Sequence, residues 1–254
     1  MIFDSHSHYD DEAFDVDRDE LLLSLNEKNI GHVIAAAADW SSFDRMIKMC
    51  EKFDFLHLTL GIHPGSALQL DASHRKELEA MVKAHNVVAI GEIGLDYHYD
   101  GPGPEIQKEA FIYQLNLAKE NDLPVIIHAR DATQDTLDIM KKYGPPKKGV
   151  IHCFSSSKEI AAEYVKMGYY IGVGGVVTFK NSKTLKEVVE SVPIENILLE
   201  TDCPYLAPTP FRGQRNSSLY LPYVVEEIAR LKNLSCEEVI DITEKNAKKL
   251  FNIE

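Results

Sequence analysis

Two histidines near the start of the chain have the spacing of a pair of metal ligands. They follow a short apolar run, Ile2–Ser5, that is typical of a strand, and one residue separates His6 from His8. Because side chains alternate along a strand, both imidazoles point to the same side. Two neutral imidazoles at a strand end supply half of a divalent metal site. The alternative is that both histidines are exposed to solvent and bind no metal. The rest of the chain has to decide between these two interpretations.

Further histidines and carboxylates stand at the ends of other apolar runs that read as strands. Each of them alone has an ordinary explanation, as a loop cap or as a buried histidine with a hydrogen-bond partner. Six such coincidences at the ends of five strands are improbable, and in a parallel barrel the carboxyl ends of all strands form one rim. The predicted metal ligands are His6, His8, Glu92, His128, His152 and Asp202.

Six ligands exceed the need of one zinc ion, so the residues indicate a binuclear site. We expect His6, His8 and Asp202 to hold one divalent ion, and Glu92 to bridge it to a second ion. The histidines after strands five and six complete the second site. Mixed imidazole and carboxylate ligation suits Zn, Mn, Fe or Ni better than Ca, whereas Mg usually asks for more oxygen ligands.

The predicted catalytic residues are Asp202, Glu92 and His63. Asp202 is expected to orient or deprotonate a water that the metal ions activate. His63 ends strand three, where it would hold a substrate phosphate or developing charge, with a hydrogen bond to the neighbouring loop as the alternative.

Three arginines are candidates for contacts to phosphate groups. Arg130 lies two residues beyond His128, and Arg212 and Arg215 lie in the loop after strand eight. A guanidinium binds phosphate oxygens in a bidentate manner. Solvated surface arginines are the alternative. Four aromatic residues near the same loops, Tyr97, Phe154, Tyr205 and Phe211, are candidates for base stacking, although packing beneath loops is more common.

Eight short apolar runs alternate with longer amphipathic segments along the whole chain. This alternation predicts an α/β fold of the (β/α)8 TIM-barrel type in one domain, residues 1–254, with a doubly wound open sheet as the alternative. The predicted strands are Ile2–Ser5, Gly31–Ala37, Leu56–Gly61, Val87–Glu92, Pro124–His128, Gly149–Cys153, Tyr169–Val173 and Asn196–Glu200. The predicted helices are Asp17–Asn29, Phe43–Phe53, Ser73–His85, Pro104–Asn121, Ala132–Tyr143, Ser157–Met167, Ser182–Ser191, Leu221–Lys232 and Cys236–Phe251, with a turn and cap at 233–235 before the last.

Composition restricts the partners that the protein can take. The net charge of −13, from 27 basic and 40 acidic residues, argues against nucleic-acid binding through a broad basic surface, so a polyanion must be met locally by metal ions and a few arginines. The four cysteines are scattered without a CxxC pair, which argues against a zinc ribbon or a disulfide framework. No apolar run is long enough to span a membrane, so we expect a cytoplasmic protein, monomeric and without an obligate protein partner.

Several motifs in the chain resemble those of a known family. They are Asp4-Ser-His6-Ser-His8, Gly61-Ile-His63-Pro64, Gly91-Glu92-Ile-Gly94-Leu-Asp96-Tyr97, His128-Ala-Arg130, His152-Cys-Phe154-Ser155 and Leu199-Glu-Thr-Asp202-Cys-Pro-Tyr-Leu. In this order they resemble the TatD-like metal-dependent deoxyribonucleases of the amidohydrolase superfamily, over the whole chain. The resemblance implies a TIM barrel with two divalent metal ions, Glu92 as a bridging ligand, and hydrolysis of nucleic-acid phosphodiesters, often as a 3′ to 5′ exonuclease. We expect DNA, and single-stranded DNA in particular, to be the substrate.

Two other functions remain open on the same residues. A binuclear barrel also hydrolyses amides, esters or lactones, including aminoacyl-tRNA, because loops rather than ligands select the substrate. The arginines favour a phosphorylated substrate. A binding or scaffold protein ranks last, since it has no need for all six predicted ligands.

Overall fold

The computed structural model describes all residues from Met1 to Glu254 and contains eight strands and nine α-helices. The strands are β1 (Ile2–Ser7), β2 (Ile30–Ala35), β3 (Leu56–Leu60), β4 (Val87–Asp96), β5 (Val125–Arg130), β6 (Gly149–Ile151), β7 (Tyr170–Val173) and β8 (Ile197–Leu199). The helices are α1 (Arg18–Glu27), α2 (Phe43–Lys52), α3 (Ala72–Ala84), α4 (Pro104–Glu120), α5 (Thr133–Tyr143), α6 (Lys158–Lys166), α7 (Lys183–Ser191), α8 (Leu221–Lys232) and α9 (Cys236–Phe251).

The eight strands lie in one sheet in chain order, β1 to β8. Neighbouring strands pair in parallel, as β1 with β2 and β7 with β8, and a bridge between Ser7 and Cys203 joins β1 to the segment after β8. Strand order and the helices between strands confirm the predicted (β/α)8 barrel. A doubly wound sheet would reverse its strand order at a switch point, so that alternative is wrong.

The chain packs as two compact units. The first comprises Met1–Ala35, His152–Lys249 and Ile253–Glu254, and the second comprises Ala36–Ile151 and Leu250–Asn252. The first unit contains β1, β2, β7 and β8, and the second contains β3 to β6. One domain over residues 1–254 stays a prediction.

The fourth strand extends beyond its predicted end at Glu92 and runs to Asp96. Its register against β5 shifts between Ile90 and Ile93, and the pairing then continues to Asp96 opposite Arg130. The shift is a bulge, which changes the direction of nearby side chains, Glu92 included. Gly94 has a φ of 146°, and a Cβ there would lie 2.0 Å from the carbonyl oxygen of His128. Only glycine therefore fits this part of the strand.

The turn between α8 and α9 has the predicted capping chemistry. Asn233 ends α8 in the left-handed conformation, with a φ of 60°, as is common at helix C-termini. Ser235 and Glu238 form a reciprocal capping box, in which the backbone N–H of Ser235 donates to the Glu238 carboxylate at 2.8 Å and the Glu238 N–H donates to Ser235 Oγ at 3.2 Å. None of the helices has the length and apolar character needed to cross a membrane.

Candidate metal centre

Strand β1 brings the first two predicted ligands together. His6 Nε2 and His8 Nε2 are 3.0 Å apart, and the two rings meet edge to face. The His6 side chain is fully buried, whereas that of His8 is 13% exposed. Two ring nitrogens this close together fit a shared ion at the Zn–N distance of about 2.0–2.1 Å.

His152 and Asp202 join this pair in the same unit. The ring of His152 stacks on that of His6, with centroids 3.9 Å apart. Asp202 Oδ1 lies 3.6 Å from His6 Nε2 and 3.4 Å from His8 Nε2. His6, His152 and Asp202 each place one ligand atom within 4.8 Å of the others. The four residues His6, His8, His152 and Asp202 are called the first cluster below.

Asp202 is ionised in the first cluster. It follows β8 in the left-handed conformation, with a φ of 55°. Burial opposes its ionisation, but a hydrogen bond with His8 and the electrostatic interactions with His152 and His6 bring its pKa below the usual range. A carboxylate set among imidazoles is a donor set suited to Zn, Mn, Fe or Ni.

Glu200 lies beside His152 and is fully buried. Its Oε1 accepts a hydrogen bond from the backbone N–H of Cys153 and lies 4.0 Å from His152 Nδ1. Its Oε2 has no hydrogen-bond partner and occupies the space of a side chain at Gly172, where a Cβ would lie 2.2 Å away. Burial raises the pKa of Glu200 to about 8, although the electrostatic interaction with His152 opposes the shift.

Asp4 fixes β1 to the segment after β8. Its Oδ1 accepts hydrogen bonds from the backbone N–H groups of Thr201 at 3.0 Å and His6 at 3.3 Å. Its Oδ2 accepts from the hydroxyls of Thr201 at 2.8 Å and Ser218 at 2.6 Å. Burial raises the pKa of Asp4 to about 6, and the hydrogen bonds from Ser218 and Thr201 limit this shift. These hydrogen bonds fix the position of the backbone at His6 relative to that at Thr201, the residue before Asp202.

The second unit has a cluster of its own around Glu92. His128 Nδ1 lies 2.7 Å from Glu92 Oε1, and His128 Nε2 lies 3.0 Å from Asp96 Oδ2. His63 Nε2 is 3.9 Å from Glu92 Oε1, and its ring meets that of His128 edge to face. His63, Glu92 and His128 each place one ligand atom within 4.8 Å of the others. These three residues are called the second cluster below.

The position of His128 between two carboxylates favours a bound cation. Burial lowers its pKa, but the hydrogen bonds with Asp96 and Glu92 outweigh burial and raise it to about 9. Burial also opposes the ionisation of Asp96, yet the bond to His128 lowers the Asp96 pKa to about 2. The two carboxylates that raise the pKa of His128 would also attract a divalent ion, and binding of the ion to His128 would release the proton.

His63 has a defined orientation. Its Nδ1 accepts a hydrogen bond from the backbone N–H of Gly65 at 3.0 Å, and its own backbone N–H donates to the carbonyl of Ala38 at 2.9 Å. When Nδ1 accepts, a neutral ring carries its proton on Nε2, the atom that faces Glu92.

Each predicted arginine contacts a side chain of its own unit. The guanidinium of Arg215 donates to both oxygens of Asp17 at 2.6 Å. Arg130 lies over the ring of Tyr99, 4.8 Å from its centroid, and donates to its hydroxyl at 3.2 Å. Arg212 lies over the ring of Phe179 at 4.4 Å.

Asp96 and the position of His152 are the two features that sequence reasoning missed. Asp96 bonds to His128 because β4 continues past Glu92, and strand alternation from Glu92 through Gly94 to Asp96 is the signal that points to it. The ring of His152 stacks on that of His6, a contact that no spacing in the sequence indicates. The assignment of His152 to the second ion, together with His128, stays a prediction.

Comparison with known proteins agrees with this chemistry. A family model described as TatD related DNase matches residues 3–252. The chain is 45% identical to the uncharacterized metal-dependent hydrolase YabD of Bacillus subtilis, over 100% of both chains. It is 34% identical to the uncharacterized metal-dependent hydrolase YcfH of Escherichia coli, over 100% of this chain and 97% of YcfH. The crystal structure of YjjV, a TatD homologue of Escherichia coli, matches with a TM-score of 0.95 and 32% identity, over 100% of this chain and 98% of YjjV.

Proposed function

The chain belongs to the TatD-related family of metal-dependent hydrolases, and on that premise we propose that it hydrolyses phosphodiester bonds of single-stranded DNA from the 3′ end. The observation that carries the proposal is the first cluster. In it His6, His152 and Asp202 present ligand atoms within 4.8 Å of one another. Family membership supports metal-dependent hydrolysis, and the phosphodiester bond and the direction are the proposed part.

Each cluster would hold one divalent ion, with Zn, Mn, Fe or Ni favoured over Mg by the imidazole ligands. In the first cluster His6, His8, His152 and Asp202 are the donors, and in the second Glu92 and His128 are the donors, while His63 keeps its Nε2 proton. The bridging role of Glu92 stays a prediction. When bound, the ions supply Lewis-acid polarisation of a phosphoryl oxygen and a water of lowered pKa.

Asp202 is the proposed general base. Its lowered pKa keeps it ionised at neutral pH, so it can accept a proton from the attacking water. His63 is the proposed donor to the phosphate. Because Gly65 fixes its Nδ1 as an acceptor, Nε2 carries a proton that can be donated to a phosphoryl oxygen as negative charge develops.

Arg130 and Arg212 are the proposed contacts to the nucleic-acid backbone. Both hold their guanidinium groups against aromatic rings, which leaves them charged and oriented. Arg215 is engaged by both oxygens of Asp17, and a phosphate would have to compete with that carboxylate.

The test is degradation of single-stranded DNA labelled at either end by metal-reconstituted protein. We expect metal-dependent shortening from the 3′ end that stops on chelation. Asp202→Asn should lower kcat by about 10²–10⁴-fold, the usual contribution of a positioned base. Asp241→Asn, which changes an exposed carboxylate of α9, is the matched control and should leave kcat unchanged.

Metal content has to be measured on every variant, so that loss of the base is distinguished from loss of an ion. Near-normal turnover by Asp202→Asn with metal bound would contradict its role. Absence of DNA cleavage by the metal-loaded wild type would contradict the nuclease proposal and direct the work to ester, amide and aminoacyl-tRNA substrates.

A further inference from the structure

A cavity of about 190 Å³ lies in the first unit beside the first cluster. Its walls come from the segments that follow β6, β7 and β8, and Asp202 is one of its lining residues. Cys153, which directly follows His152, is another. A group held in this cavity is therefore adjacent to the residue proposed to activate water, so the cavity is placed to hold part of the substrate.

Glycines keep this cavity open and shape its walls. At Gly172 the Glu200 side chain takes the place of a Cβ, and at Gly175 a Cβ would lie 2.1 Å from the carbonyl oxygen of Leu206. The wall on this side thus consists of backbone and of the Glu200 carboxyl group. Longer residues at these glycines would either collide or fill the space.

The lining has two kinds of surface. The apolar part of the lining comes from Phe154 and Leu185, which are buried, and from Val176 and Leu206. Exposed polar side chains, including Asn181 and Thr184, lie at its edge. Glu200 Oε2 is buried and has no hydrogen-bond partner. An apolar pocket with a few polar groups is the usual form of a small-molecule site.

The volume limits how much of a substrate can enter. Pockets for drug-sized ligands measure roughly 300–1,000 Å³, and this cavity is smaller. It takes a single ring system and not a dinucleotide. A nucleobase has carbon-rich faces that suit Phe154 and Leu206, and a polar edge that suits the Asn181 side chain.

We propose that this cavity binds the base of the terminal nucleotide of the DNA strand, and this inference rests on the proposed nuclease function. The base enters between Phe154 and Leu206, while its 5′-phosphate lies toward Asp202. A pocket for one base gives a physical reason for attack at a strand end. A terminal base has to unstack from one neighbouring base to enter the pocket, whereas an internal base has to unstack from two.

The test compares two phosphodiesters with the same leaving group on metal-reconstituted protein. Thymidine 5′-(p-nitrophenyl phosphate) carries a base and methyl p-nitrophenyl phosphate does not. The wild type should favour the thymidine ester in kcat/KM by about tenfold or more, as one stacked base contributes about 1–3 kcal/mol. Thr184→Trp, which places an indole at the cavity edge, should lower this ratio about tenfold.

Lys183→Trp is the matched control, because Lys183 is the preceding residue, its side chain is 87% exposed and it does not line the cavity. It should keep the wild-type ratio. A ratio near one in the wild type, or equal losses on both esters in Thr184→Trp, would overturn the base pocket.

Failure of the pocket and failure of the nuclease proposal give different results. If the wild type hydrolyses neither ester, the nuclease proposal fails, and calorimetric binding of thymidine 5′-monophosphate to the metal-loaded protein then tests the pocket. Binding that Thr184→Trp abolishes and Lys183→Trp retains supports a base pocket. Absence of binding to the wild type overturns it.

Discussion

Glu200 shows how a buried residue can act on a metal ligand without contacting substrate. One oxygen holds the backbone of Cys153, which has a left-handed φ of 44°, and the same oxygen lies 4.0 Å from His152 Nδ1. A carboxylate on the far side of a ligating histidine fixes the orientation of its ring and raises its basicity. We therefore regard Glu200 as a positioning residue for His152.

The first prediction separates the charge of Glu200 from its hydrogen bond. Glu200→Gln keeps an oxygen for the Cys153 N–H but cannot ionise, so metal affinity measured above pH 8, where the wild-type carboxyl is charged, should fall about 10–100-fold with little change in the free energy of unfolding. Glu200→Ala should also lower that free energy by about 1–3 kcal/mol, because a buried N–H loses its acceptor. Chelator-competition titrations and urea unfolding measure the two effects. Unchanged metal affinity in Glu200→Gln would refute the positioning role.

The second prediction concerns the pH dependence of the metal-free protein. The pKa of His128 is raised from 6.5 to about 9 in the fold, so its protonation stabilises the protein fully below pH 6.5. This stabilisation is lost as the pH rises through about 9. Asp96→Asn removes a carboxylate that contributes to the shift, so the free energy of unfolding should fall less steeply between these pH values. Identical slopes for wild type and variant in urea unfolding would contradict this account.

At the scale of elements, alternation of apolar runs predicted all eight strands and nine helices. Periodicity locates these elements because each strand must be buried on two faces and each helix on one. It did not locate the bulge at Gly91 and Glu92, since a register shift arises from pairing with β5. The predicted end of β4 at Glu92 is wrong for the same reason.

The site was predictable to the extent that it depends on position along a strand. Alternation indicated that His6 and His8 lie together, and their ring nitrogens are 3.0 Å apart. The grouping of ligands depends instead on how the loops pack. The stacking of His152 on His6 is such a contact, and it joins residues far apart in the chain.

The third prediction tests the packing of β7 against Glu200. In Gly172→Ala the new Cβ would lie 2.2 Å from Glu200 Oε2 and 3.0 Å from His152 Cα, so Glu200 has to move. We expect a loss of about 1–3 kcal/mol in the free energy of unfolding, as for other overpacked sites, and weaker metal binding. Gly101→Ala is the control, because its nearest neighbour is a carbonyl oxygen at 4.0 Å. Equal stabilities of the two variants in urea would contradict this packing.

At the scale of the whole molecule, the net charge of −13 governs how DNA can be held. An acidic protein repels a polyanion over most of its surface, and at longer range salt screens this repulsion. The proposed contacts to phosphates are therefore limited to Arg130 and Arg212. Counterion release, which makes most nucleic-acid binding steeply salt-dependent, should therefore be small.

The last prediction concerns how steeply DNA binding weakens with salt concentration. Each phosphate neutralised on a single strand contributes about −0.7 to the slope of log Kobs against log salt concentration, so contacts by Arg130 and Arg212 alone give about −1.4. Fluorescence anisotropy of a labelled oligonucleotide on the metal-loaded Asp202→Asn variant measures this slope over a range of KCl concentrations.

Adding Arg130→Ala should make the slope shallower by about 0.7. Adding Arg215→Ala should change it less, because Asp17 already neutralises that guanidinium. A slope steeper than about −4 would mean that a broad basic surface holds the strand, and an unchanged slope in Arg130→Ala would remove that residue from the interface.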